Sequence, residues 1–139
     1  MAIPANLRRQ VVKRATNCCE YCGLAQTGQE ATFHVGHVVL VVAGGQSTSE
    51  NLALACVSCS LRKDARLVKV DSHTGEKVVL FDPRRDAWRL HFRWDGVRVV
   101  GITPIGRTTV VALHMNRPLA LAIREEEAQR GRHPPQTHR

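Results

Sequence analysis

The sequence contains few aromatic residues: its 139 residues include only two Trp, one Tyr and three Phe. Aromatic side chains contribute much of the buried area of most cores, so a domain with few of them needs another source of stability. The hydrophobic fraction of 43% is ordinary, and the length suits one domain. We therefore predict a single domain over residues 1–130 that something other than its apolar core helps to stabilise.

Long hydrophobic runs are also lacking. No stretch approaches the roughly 18 consecutive apolar residues of a membrane span. The opening segment MAIPANLRRQVVKR lacks the apolar region of a secretory signal. We expect a cytoplasmic protein without a membrane partner.

Acidic residues are in deficit, with 12 Asp and Glu against 20 Lys and Arg, which gives a formal net charge of +8. An excess of positive charge favours a polyanionic partner such as nucleic acid, because neutralised phosphates release their counterions. A soluble protein with a basic surface is the alternative. The stretch from Ala15 to Leu61 contains no Lys or Arg at all.

Four of the five cysteines form two C-x-x-C pairs, Cys19 with Cys22 and Cys56 with Cys59. In a reducing compartment this spacing is typical of a metal site rather than of disulfides. Two such pairs supply the four thiolates that zinc prefers, and a closed shell of this kind is structural rather than catalytic. Cys18 leaves an ambiguity of register, since Cys18 with Cys22 makes a less usual C-x-x-x-C.

Periodicity and turn signals predict an α+β fold. Residues 4–16 are expected to form a helix, and FHVGHVVLVV a strand or the two arms of a tight hairpin. A helix or turn should carry the second cysteine pair. Further predicted elements are strands at 78–81, 88–94 and 97–102 with a turn at Asp95-Gly96, helices from Pro104 to about Met115 and from Pro118 to about Arg130, and a disordered tail at 131–139.

In the predicted strand WRLHFRW, one face carries Trp88, Leu90, Phe92 and Trp94. Such a face is more often part of a core than a platform for stacking bases. Between the cysteine pairs, a strand would place His34 and His37 on opposite faces. Taken alone, these two histidines fit a structural role as well as a functional one.

The order C-x-x-C, F-H-x-x-H-V-V, G-G and E-N-L-A-L-A-C-x-x-C-S-L-R-K resembles the HNH endonucleases, whose ββα-metal motif is wrapped around a four-cysteine zinc. The resemblance is specific over residues 19–63 and looser through the segment LFDPRRDAWRLHFRW and beyond. It implies a zinc-stabilised ββα core at about 19–66. The extension at 67–130 then holds a short antiparallel sheet and two C-terminal helices.

The resemblance also implies a chemistry. The residue matching His37 ends the first strand and acts as general base on the water that attacks a DNA phosphodiester. The residue matching Asn51 holds that imidazole through its side-chain oxygen. A divalent ion such as Mg²⁺ stabilises the charge that develops on the phosphate.

Two positions depart from the family pattern. Gly36 stands where an acidic or histidine metal ligand is usual, and Ser60 where His or Asn is usual. Ser60, Asp64 and His34 remain as possible ligands of a catalytic metal, although Asp64 also fits a solvated surface charge. Because of these departures, a degenerate HNH domain that binds nucleic acid without cleaving it is the alternative to a nuclease, and a zinc-stabilised protein-interaction module is a third reading.

DNA contacts are expected from the basic residues that follow the second cysteine pair. The first group is Arg62, Lys63 and Arg66, and a second group is Arg84, Arg85, Arg89 and Arg93. Some of these side chains will be ordinary surface charges.

Overall fold

The computed structural model describes residues 3–63 and 68–139, and the predicted α+β class is confirmed. The helices are α1 Ala5–Arg14, α2 Val57–Lys63, α3 Trp88–His91, α4 Pro104–Ala112 and α5 Pro118–Gln129. The strands are β1 His34–His37, β2 Leu52–Ala55, β3 Val68–Val70, β4 Lys77–Val79, β5 Phe92–Asp95 and β6 Arg98–Gly101. They form three two-stranded antiparallel sheets, β1–β2, β3–β4 and β5–β6. No helix among the residues described is long and apolar enough to cross a membrane.

The first sheet and α2 form the ββα unit that the resemblance implied. Strand β1 pairs with β2 so that His37 lies opposite Leu52 and Gly36 opposite Ala53. All four residues of β2 are buried. Helix α1 packs against this sheet through Val11, which is fully buried.

The predicted strand FHVGHVVLVV is shorter than expected, because pairing ends soon after His37. The side chain of Asn51 bonds both the N–H and the C=O of Val39, so this residue no longer needs a strand partner. The chain then turns through a short 3₁₀ helix at Val41–Ala43, where Val42 is 93% exposed.

The predicted strand at 88–94 is wrong in its first half, which forms α3. The indole Nε1 of Trp88 donates to the carbonyl of Tyr21 at 2.8 Å, and its ring lies 5.0 Å from Phe92 and 5.2 Å from Trp94. Leu90, on the other side of this helical turn, is 61% exposed. Packing of the indole against the cysteine region thus overrides the alternating pattern.

The predicted C-terminal helices are confirmed. Thr103 caps α4, since its Oγ1 accepts from the N–H of Gly106 at 3.0 Å and Pro104 follows it. Pro118 is the first residue of α5, which has no side-chain cap. The β5–β6 turn is one residue later than predicted, at residues 96–97, because Asp95 pairs with Arg98.

The tail at 131–139 is packed rather than disordered. Its last residues form a 3₁₀ helix at Gln136–His138, and the His138 side chain is only 2% exposed. Burial lowers the pKa of this imidazole to about 4. The carbonyl of His138 accepts from the Trp94 indole at 2.7 Å, which gives a half-buried donor its partner.

Candidate metal centre and catalytic groove

Four buried cysteines meet at the centre of the ββα unit. Cys19 and Cys22 follow α1, Cys56 lies between β2 and α2, and Cys59 lies within α2. Their sulfurs all lie within 4.8 Å of one another, and those of Cys22 and Cys56 are 3.8 Å apart. A tetrahedral zinc with Zn–S bonds of about 2.3 Å places its sulfurs roughly 3.8 Å apart. The cluster can therefore hold a metal such as zinc.

Backbone N–H groups point at two of the four sulfurs. The N–H of Cys22 points at the sulfur of Cys19 at 3.5 Å, and the N–H of Cys59 at that of Cys56 at 3.4 Å. Burial raises the pKa of the Cys19 thiol well above its usual range, whereas hydrogen bonding with Cys19 lowers the pKa of Cys22. Buried thiolates need a cation to offset their charge, and a bound metal supplies it.

The fifth cysteine lies outside the cluster. Cys18 is 8% exposed and forms an isolated β-bridge with Ala25, and burial raises the pKa of its thiol. This placement resolves the ambiguity of register in favour of the two C-x-x-C pairs. Elsewhere in residues 3–63 and 68–139, no other group of three or more His, Cys, Asp or Glu side chains is placed to share a metal.

Two arginines from the C-terminal helical region reach the cluster, and sequence reasoning missed both. Arg117 Nη2 lies 3.6 Å from the sulfur of Cys56. Arg124, 1% exposed, donates to the carbonyls of Cys22 at 3.0 Å and Met115 at 2.7 Å. These contacts join α5 to the first cysteine pair across 102 residues of chain. Nothing in the local sequence distinguishes either residue from a surface arginine.

An open groove of about 640 Å³ runs along β1 and reaches α1 and α2. Residues from β1 and α2 in its lining include His34, Gly36, His37, Ser60 and Lys63. His34 and His37 therefore line one groove, although a regular strand predicts opposite faces. All four residues of β1 line this groove, so it is not confined to one face of the strand.

The His37 imidazole is held by a serine that the sequence did not indicate. Its Nε2 lies 2.8 Å from Ser47 Oγ, ten residues further along the loop. The carbonyl of His37 accepts from Lys63 Nζ at 2.5 Å. Contacts to both the ring and the backbone thus fix this histidine at the groove.

The hydrogen bonds of the Asn51 side chain in this structure go to backbone groups of the loop and not to the His37 imidazole. Its amide bonds the backbone of Val39 and donates to the carbonyl of Gln46 at 2.9 Å. Asn51 thereby shapes the loop that carries Ser47. Its influence on His37 is indirect.

Two of the three possible catalytic-metal ligands lie together. His34 Nδ1 is 3.2 Å from Ser60 Oγ. Asp64, the third, lies outside the described residues. A side chain added at Gly36 would meet nothing within 4 Å, so the position usually taken by a ligand is open space. Among the described residues of the groove lining, none is acidic.

The basic residues expected to contact DNA differ in their surroundings. Arg62 is exposed on α2 outside the groove lining, with Nε 3.3 Å from Ser58 Oγ, whereas Arg66 lies outside the described residues. Arg84 is removed from the second group, because it forms a largely buried ion pair with Glu20. Burial lowers the pKa of Arg84 to about 10. The remaining members, Arg85, Arg89 and Arg93, are exposed.

Comparison with known proteins agrees with the motif. Residues 19–66 match the model of the family described as HNH endonuclease. This region contains the four cysteines, both groove histidines and the ββα unit. No curated protein and no solved structure matches the chain.

Proposed function

We propose that the chain is an HNH endonuclease that hydrolyses DNA phosphodiester bonds, with the His37 imidazole as general base. The observation that carries the proposal is the placement of His37 at the end of β1, in an open groove, inside the loop that the four cysteines close. In the tautomer that donates from Nε2 to Ser47 Oγ, the lone pair lies on Nδ1. That nitrogen accepts the proton of the attacking water.

The four-cysteine cluster is proposed to hold a structural zinc. A site with four thiolates has no open position for substrate, so this zinc supplies rigidity and not chemistry. It fixes the ends of β2 and α2 against the segment that follows α1. The groove depends on these elements, because its walls come from α1, β1, β2 and α2.

The proposal also includes a second, catalytic divalent ion. HNH enzymes use such an ion to stabilise the charge that develops on the phosphate. The described candidates, His34 and Ser60, offer neutral donors, whereas Mg²⁺ prefers carboxylate oxygens. These two residues alone do not fit a magnesium site, and we assign no step of the reaction to a metal at them.

The proposal is tested by nicking of supercoiled plasmid DNA in the presence of Mg²⁺ or Mn²⁺. We expect the native protein to nick the plasmid. The rate for His37→Ala should be lower by a factor of about 10² to 10⁴, since this variant lacks the general base. His73→Ala is the matched control, because His73 is exposed between β3 and β4, outside the groove lining. Equal rates for the native protein and His37→Ala would contradict the proposal.

The second candidate is a domain that binds DNA without cutting it, and Gly36 and Ser60 favour it. Both positions lack the ligand that is usual in the family. Gel-shift measurements on the same samples separate the two functions. Binding by the native protein without nicking in any divalent ion would establish the second and exclude the first.

A further inference from the structure

The positively charged residues that line the groove come from helices and not from the loop between β1 and β2. The loop between β1 and β2, residues 38–51, contains no Lys or Arg that could contact a phosphate backbone. In the structure, Arg8 of α1 and Lys63 of α2 both line the groove. The helix that precedes the cysteines thus brings a cation to the groove where the loop lacks one.

Helix α1 holds Arg8 in place. The guanidinium of Arg14, near the end of this helix, donates to the carbonyls of Ser49 at 2.9 Å and Leu52 at 2.7 Å. Val11, which lies between Arg8 and Arg14 in the sequence, is fully buried. The helix is therefore anchored to the same turn that carries Asn51, and the position of Arg8 relative to β1 is set by packing.

The Arg8 side chain is available for a ligand. It is exposed, and it makes no hydrogen bond or ion pair within the part of the chain that the structure describes. A guanidinium binds phosphate oxygens in a bidentate manner and stays charged at any physiological pH. With no acidic residue in the described lining, the groove attracts anions rather than cations.

We propose that Arg8 binds the phosphodiester backbone of the nucleic acid and positions the phosphate for attack by the water that His37 deprotonates. This inference rests on the proposed function and extends it by naming a substrate-binding residue outside the matched region 19–66. Lys63 contributes positive charge from α2 while its ammonium holds the carbonyl of His37. The groove lining then contains a cation from α1, a cation from α2 and the general base from β1.

The test compares Arg8→Ala with Arg9→Ala. Both residues are exposed on α1, both changes remove one positive charge, and Arg9 does not line the groove. Affinity for a duplex oligonucleotide is measured between 50 and 300 mM salt, and nicking of supercoiled plasmid by the same samples is measured alongside. Melting curves and zinc content check that all variants retain the native fold.

Arg8→Ala is expected to reduce the slope of log K against log salt by about 0.9, because one phosphate contact is lost. Its nicking rate should fall about tenfold or more, whereas Arg9→Ala should retain the native slope and rate. Inorganic phosphate should compete with DNA for the native protein more effectively than for Arg8→Ala.

Equal behaviour of the two variants, with His37→Ala still inactive, would overturn the role of Arg8 and leave the proposed nuclease intact. Loss of nicking in Arg8→Ala with an unchanged salt slope would also overturn it, since the effect would then not come from phosphate binding. A native protein that neither binds nor cuts DNA would remove both proposals.

Discussion

Removal of the metal from the four-cysteine cluster is expected to unfold the protein. Structural zinc contributes about 10 to 16 kcal/mol of binding free energy in small domains, and the stability of a domain of this size is about 5 to 15 kcal/mol. All four cysteines of the cluster belong to the hydrophobic core, so the metal site and the core are one unit. Chelation should therefore abolish the cooperative thermal transition, and Cys56→Ser should do the same.

Cys18→Ser is the matched control for this prediction. Cys18 is buried and adjacent to Cys19, yet its sulfur lies outside the cluster. This variant should retain one zinc per chain by elemental analysis and should lose no more than about 2 kcal/mol of stability. A protein that melts cooperatively after complete removal of the metal would refute the structural role of the cluster.

Gly36→Asp is expected to raise nuclease activity by about 10- to 100-fold and to tighten the binding of Mg²⁺ or Mn²⁺. The new carboxylate would stand beside His37, at the position where the family usually carries a metal ligand. Space permits it, since a Cβ at Gly36 meets nothing within 4 Å and the residue lines the groove. Carboxylate oxygens are the ligands that these ions prefer.

The control for this gain is Val42→Asp. Val42 also lines the groove but lies on the loop after β1, so the variant adds the same charge away from His37. It should not raise the rate. An unchanged rate in Gly36→Asp, together with unchanged metal binding, would show that the missing ligand does not limit the site.

The sequence predicted best where a feature depends on local spacing. The start of α4 at Thr103-Pro104 needs only neighbouring residues, and each C-x-x-C pair is local, with the preference of zinc for four thiolates predicting that the two pairs meet. The family motif also located His37 at the end of a strand. At these positions, contacts between distant segments do not override the structure that the local sequence favours.

The remaining errors arise from contacts between distant segments. Trp88 forms a helical turn because its indole bonds Tyr21, 67 residues away. The tail is ordered because Trp94 bonds His138, 44 residues away. The loop geometry, in which Asn51 bonds the backbone and Ser47 holds His37, depends on the fold of the whole segment. Periodicity carries no information on such pairs.

The central claim, that His37 accepts the proton during phosphodiester hydrolysis, is tested most directly by chemical rescue of His37→Gly with imidazole. His37 lines an open groove, so its removal leaves a space that free imidazole can enter. We predict that the variant keeps its zinc, is inactive alone, and regains nicking in proportion to added imidazole. Nicking by His37→Gly at the native rate without imidazole would contradict the claim.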